Sequence, residues 1–461
     1  MKSGGDGRTG NSHPCVPTAR KRSAQARIEG IRAVGVSDVE GWRTPVPSGM
    51  SEQRTWSSAI REAGTHRFSE FIILVYCTRW KITFSNKLGL NRTSMSSSLE
   101  SAIRASATRL GHYIEVHRGH PEVSFHDHVK QRRRNKAVRA SSFKLIYLDT
   151  LAWKCVADYR QNKATLTAAM KAFGASIERA VQTEHFAFPI GVPTYLELDS
   201  MVDPATREAL KKLVDELSQG LCITSFHDRV GSELQMLRTN RLSEAEGLED
   251  FVCSPIEMMG IPTISLPSLV KSQVDETTFN KAFFDALYEL PFSIQLDVAG
   301  SAPGEKWDNS RGIADLNDGK AQHQSEIVNL NVGIFFELKG GIEAWFINEG
   351  MALNPQEITL DALNAMNHWN QVPSSRSLPT MRILSSLYGL MRFDPNRRYK
   401  NGDPNDFLVA ASALPVAHAL FTDRKFANLL SDKRIGLDKF LDCTVVSGFE
   451  EMAQYLEEQV Q

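Results

Sequence analysis

The strongest constraint on this chain is an apolar strand pattern that ends at an aspartate and passes straight into a helix, and it occurs twice. In FKLIYLDT (143–150) a β-favouring run stops at Asp149 and continues as LAWKCVADYR, whose apolar residues have helical spacing. HALFTD (418–423) repeats the pattern before RKFANLL and puts Asp423 at a strand end, while GDPNDFLVAASAL puts Asp406 at a helix start. Alternating strands and helices predict a layered α/β domain, in which ligands collect beyond the carboxyl ends of the strands. Acids far apart in sequence can therefore converge there.

The 461 residues have room for roughly three average domains, or for one α/β domain with a long insertion. The net charge of −1 hides an asymmetry: residues 1–140 hold 24 Lys+Arg against 11 Asp+Glu, and residues 141–461 hold 29 against 43. An acidic body suits a cation site better than a broad nucleic-acid cradle. Six cysteines without a CxxC pair favour reduced thiols and a cytoplasmic protein. The longest compact apolar run, FIILVYC (71–77), is too short to span a bilayer, so no membrane is expected.

Residues 1–95 are rich in Gly, Ser, Arg and Thr without a sustained period, which reads as disorder, with Met50 or Met95 as alternative starts. SSLESAIRASATRLGHYIEV has helical spacing, and KQRRRNKAVRASS reads as a solvated basic linker that could instead grip phosphates. The expected organisation is a basic, low-order extension over 1–140 and an α/β domain over 141–461, interrupted by a mostly helical insertion at about 226–395. FAFPIGVPTYLEL is expected to contain a strand, with the next helix start as an alternative for its end; on a strand, Glu197 and Asp199 share one side if Leu198 packs inward.

Mg²⁺ and Mn²⁺ prefer hard oxygen ligands, so three or four convergent carboxylates form a sensible cage for one or two ions. The candidates are Asp149, Glu197, Asp406 and Asp423, with Asp199 and Asp403 as near competitors. Taken singly, Asp149, Thr150 and Asp406 are equally well read as helix caps. Together, YLDT, FPIGVPTYLELDS, NDFLVAASAL and LFTD resemble the PIN-domain nucleases, toxin-type members included, over about a quarter of the chain. In that family an Asp ends the first strand, a Glu follows the second, an Asp begins a later helix and another Asp ends the next strand. The separation of Asp149 from Asp406 is much longer here than in the compact members, so the resemblance requires the insertion.

The resemblance implies a three-layer domain with a central, mainly parallel sheet and metal-dependent hydrolysis of a phosphodiester, with RNA the expected substrate and single-stranded DNA the alternative. It implies Mg²⁺ or Mn²⁺ at the four acids, Thr150 and Thr422 orienting them, and a separate antitoxin protein as a partner. The reading from another class is a PIN-like scaffold that no longer cuts and binds RNA or a protein. Arg397, Arg398 and Lys400 are candidates for a substrate phosphate, with Tyr399 available to stack on a base, against the alternative of a charged surface turn. Phe335, Phe336, Trp345 and Phe346 read as core. His112, His117, His120, His126 and His128 follow no zinc spacing and have no cysteine nearby, so a polar surface segment is expected there. P-loop, GxGxxG and GxSxG signals are missing, and a haloacid-dehalogenase-like start would need an Asp where Leu151 stands.

Overall fold

The computed structural model describes residues 97–460, except 244–246, 259–262, 264–273, 289, 302–307, 309 and 311. The expectation of disorder over 1–95 lies outside the described residues.

Four strands form a parallel sheet in the order β2 (Phe186–Ala187), β1 (Lys144–Leu148), β5 (Ala419–Thr422), β6 (Thr444–Ser447). A two-stranded antiparallel sheet, β3 (Cys222–Ile223) with β4 (Val252–Cys253), is joined to the segment after β2 by a bridge between Ile190 and Cys222. Parallel strands covered on both faces are apolar throughout, and β1 fits that rule: Leu145, Ile146, Tyr147 and Leu148 are all at most 1 % exposed.

Successive strand residues point to opposite faces, which divides the core in two. Ile146 and Leu148 join Phe421, Phe173 and Trp153 in one cluster with helices Thr150–Arg160, Ala168–Gln182 and Phe449–Val460. Tyr147 and Leu420 join Phe407, Leu387 and Leu390 in the other, with helices Asp403–Ala413 and Pro379–Phe393.

Among the described residues of 226–395 the regular elements are helices apart from β4, and the stretch has a cluster of its own. Leu234, Leu338, Ile342, Phe346, Ile358, Trp369 and Met381 pack together from helices Phe226–Arg238, Leu330–Asn348, Pro355–Gln371 and Pro379–Phe393. Phe346 is buried there, with Phe335 and Trp345 packed against the cluster.

Two side chains of Phe226–Arg238 tie this bundle together and to the sheet domain. Arg229 donates to the carbonyl of Ala411, near the end of helix Asp403–Ala413, at 2.7 Å. One turn on, the fully buried Glu233 accepts from the backbone N–H groups of Thr380 and Met381, both at 2.8 Å. Those donors open helix Pro379–Phe393, whose cap residue Leu378 is left-handed (φ 56°) and makes no capping bond. Glu233 thus supplies from a neighbouring helix the acceptors that a local Ser or Asp would give.

The segment expected as a solvated linker is corrected. Residues 125–140 are a helix capped by Ser124, with Val129, Lys136, Ala137 and Ala140 buried. Arg133 donates to the buried Glu257 at 2.8 Å and Arg132 to the buried Asp285 at 2.9 Å, so these charges are spent inside the protein. Helix Ser97–Arg118 precedes it, so the low-order extension does not reach residue 140.

Candidate active site

Parallel pairing sets β1 and β5 in register through Leu148 and Phe421, and the Asp149 N–H continues the ladder to the Phe421 carbonyl at 3.0 Å. Asp149 and Asp423 therefore leave the carboxyl ends of adjacent central strands. Each also caps the helix that follows: Asp149 Oδ1 accepts from Ala152 N at 2.9 Å, and Asp423 Oδ1 accepts from Lys425 N and Phe426 N at 2.7 and 3.0 Å. The cap bonds leave room for a further ligand, because each engages Oδ1 and a carboxylate has a second oxygen. Thr422, buried at the end of β5, favours the charged form of Asp149 and so opposes the effect of burial. Thr150 occupies the first position of its helix.

Glu197 follows β2, on the helix alternative for this stretch. It lies on helix Val192–Ser200 and not on a strand. Residues two apart on a helix point roughly 200° apart, and this separates the two competing acids. Glu197 Oε1 accepts from Asn405 Nδ2 at 2.8 Å, while Asp199 is buried and paired with Arg207 at 3.3 Å. The helix can sit over the sheet because Gly191 precedes it: a Cβ there would lie 2.7 Å from the Tyr147 hydroxyl, which contacts Thr194 at 3.2 Å.

Asp406 stands in the first turn of helix Asp403–Ala413, which begins after Gly402 at φ 92°. Asp403 is engaged elsewhere, accepting from Lys400 N at 2.8 Å and pairing with Lys425 at 3.1 Å. Asn405, between the two acids, donates its amide to Glu197, and its buried Oδ1 has no hydrogen-bond partner.

Electrostatics bring the four acids together. Burial pushes the Asp406 carboxyl up to about 8, and Asp423, Glu197, Asp403 and Asp149 push it the same way. Burial likewise raises Asp149 to about 6 against its hydrogen bonds from Ala152 and Thr422, with Asp423 and Glu197 adding to the rise. Such carboxylates are protonated or need a cation.

The donors are all hard oxygens, including the orphaned Asn405 Oδ1, and they fit Mg²⁺ or Mn²⁺ by type. Among the described residues, three ligand atoms gather within 4.8 Å of one another only at His117, His128 and Asp285. The acids are accordingly an open set, suited to an ion that keeps several waters.

A raised carboxyl stabilises the fold below its unfolded value and loses that contribution as pH rises through the folded value. For Asp406 the window runs from 3.8 to about 8, and for Asp149 from 3.8 to about 6. In EDTA the protein is expected to lose roughly 3–5 kcal/mol between pH 5 and pH 8 through these groups. Denaturant melts at both pH values, compared with Asp406→Asn, check this, and equal losses in the two proteins would remove Asp406 as the cause.

Two parts of the expected phosphate subsite are corrected. Tyr399 is buried among Leu387, Leu390 and Phe407 and cannot stack on a base. Arg397 is tied to Asp394 and Asp432 at 3.4 and 3.3 Å, and Lys320 binds its carbonyl. Arg398 and Lys400 are exposed. Arg424 and Lys425, which the sequence reading passed over, are exposed directly after Asp423, and RK following TD was the available signal.

A cavity of about 70 Å³ among Phe226, Trp345, Tyr388 and Leu408 touches the site helix from another side, but none of the four acids lines it. Among the described residues no helix is long and apolar enough to cross a membrane.

Comparison with protein-family models, curated proteins and solved structures gives no match.

Proposed function

We propose that the protein is a PIN-like, metal-dependent nuclease that hydrolyses phosphodiester bonds in single-stranded RNA. The observation that carries the reading is the grouping of Asp149, Glu197, Asp406 and Asp423 beyond the ends of β1 and β5, where burial first, and the neighbouring acids second, hold Asp149 and Asp406 above the ordinary carboxylate range. Grouped, partly buried acids with raised pKa values beyond the ends of parallel strands are a recurrent mark of a functional site.

The acids and Asn405 would hold Mg²⁺ or Mn²⁺. Such an ion supplies an activated water and neutralises charge on the phosphodiester under attack. The chain's own residues do the positioning. The β1–β5 register sets Asp149 beside Asp423, Thr422 favours the charged form of Asp149, and Asn405 steadies Glu197. Lys425, with Arg424, Arg398 and Lys400, offers positive charge for the strand backbone, which favours binding without fixing sequence.

The test is incubation of the full chain with end-labelled single-stranded RNA and DNA in Mn²⁺, Mg²⁺ or EDTA. Cutting in either metal and none in EDTA is expected, with RNA preferred. A folded sample that cuts neither strand overturns the proposal in favour of a non-cutting scaffold.

A further inference from the structure

Away from the acids, three helices bring His117, His128 and Asp285 to one point. His117 lies near the end of Ser97–Arg118, His128 in the first turn of Phe125–Ala140, and Asp285 in Glu276–Tyr288. Asp285 Oδ2 is 2.9 Å from His117 Nε2, and Asp285 Oδ1 is 2.9 Å from His128 Nε2. The three ligand atoms lie within 4.8 Å of one another. The imidazoles are not stacked but nearly perpendicular, at 81° with centroids 4.7 Å apart.

The expectation of a polar surface segment fails here, since His117 and Asp285 are buried and His128 is only half-exposed, whereas His112, His120 and His126 point to solvent.

We propose that His117, His128 and Asp285 form a Zn²⁺ site that clasps the helix pair 97–140 to helix Glu276–Tyr288. The donor set decides the metal. Two imidazole nitrogens and one carboxylate oxygen suit zinc and neighbouring transition ions, unlike the all-oxygen set at the strand ends. Zinc bonds of roughly 2.0–2.1 Å in a tetrahedron put ligand atoms about 3.4 Å apart. The observed separations, from 2.9 Å to at most 4.8 Å, bracket that value with small side-chain shifts.

A fourth position is left for water on the side of His128 and Arg132, whose side chains retain 14 % and 29 % exposure. Arg132 Nε donates to Asp285 Oδ1 at 2.9 Å, a bond that a ligating carboxylate can keep as outer support. Lys281 is also near, held on the carbonyls of His120 and Val123, and the two positive charges weaken the site without removing its ligands. Without metal, the same three residues remain a hydrogen-bonded clasp.

The experiment strips the full chain with EDTA, removes the chelator and titrates Co²⁺, whose visible absorption is strong in four-coordinate sites, followed by displacement with Zn²⁺. The expected result is a saturable signal at about one equivalent, lost in His128→Gln and Asp285→Asn and kept in Asp149→Asn, with circular dichroism confirming that each variant folds. X-ray absorption of the zinc-loaded wild-type chain needs no variant and is expected to show imidazole scattering in a nitrogen and oxygen shell. No saturable signal, a signal unchanged in both variants, or a sulfur or all-oxygen shell overturns the proposal. Keeping Asp149→Asn in the series separates this outcome from that of the nuclease reading.

Discussion

Asp149→Asn is expected to lower metal-dependent cleavage by roughly 10³-fold, equivalent to about 4 kcal/mol of transition-state stabilisation, while the protein stays folded. The substitution separates two roles of one side chain. Asn is as good a helix cap as Asp, so the bond from Ala152 N persists and helix Thr150–Arg160 keeps its start. What disappears is a negative charge that already sits uncomfortably among Asp423, Glu197 and Asp406. Activity and thermal midpoint should therefore move independently: cleavage collapses, and the midpoint in EDTA holds or rises. Single-turnover cleavage and a melt on the same samples decide it, and wild-type cleavage by the mutant would reject this site.

Glu233→Ala is expected to cost roughly 3–5 kcal/mol, far from any acid of the site. It removes both acceptors from the Thr380 and Met381 N–H groups in a place where water does not reach, beside a left-handed Leu378 that offers no substitute. Burial raises the Glu233 carboxyl to about 7, above its ordinary range despite those bonds. Glu233→Gln, which keeps one acceptor, should lose less than half as much. Denaturant midpoints give the comparison, and a loss below about 1 kcal/mol for the alanine would mean that the helix start is supported some other way.

Local grammar made part of this molecule legible. β1 and β5 each stop at an aspartate because the same residue ends a strand and caps a helix, and both functions leave marks in sequence. β6 and its helix are likewise legible in the β-branched CTVVS and the amphipathic FEEMAQYLEE. FAFPIGVPTYLEL leaves open where its strand ends and its helix starts because PTYLEL is apolar enough for either element, and Pro193 in the first turn is the local sign of the helix that carries Glu197. For Tyr399 and Arg397 the alternative of a charged turn is the nearer one: such a stretch conceals which side chains fold back, and of the partners of Arg397 only Asp394 is local, while Asp432 lies 35 residues on. The histidines failed for the same reason at longer range: Asp285 lies 168 residues from His117 and 157 from His128. Arg132 and Arg133 looked like solvated charge because their buried acceptors, Asp285 and Glu257, come more than 120 residues later.

The central pairing of β1 with β5 also sets a timetable. Ile146 faces Ala419 across the sheet, and everything between them must be synthesised first. At roughly 5–20 residues per second, β1 waits tens of seconds on the ribosome with one apolar edge bare. During that interval β2 can occupy its other side, and the helices of 226–395 can begin to gather around their own cluster. The nascent chain therefore has a long aggregation-exposed phase that ends only when β5 docks. The step that covers β1 is also the one that delivers Asp423, with β6 then pairing on the far side of β5, so a chain released before residue 423 would lack both that strand and that acid, and a cell making this protein would have reason to shield β1 until then.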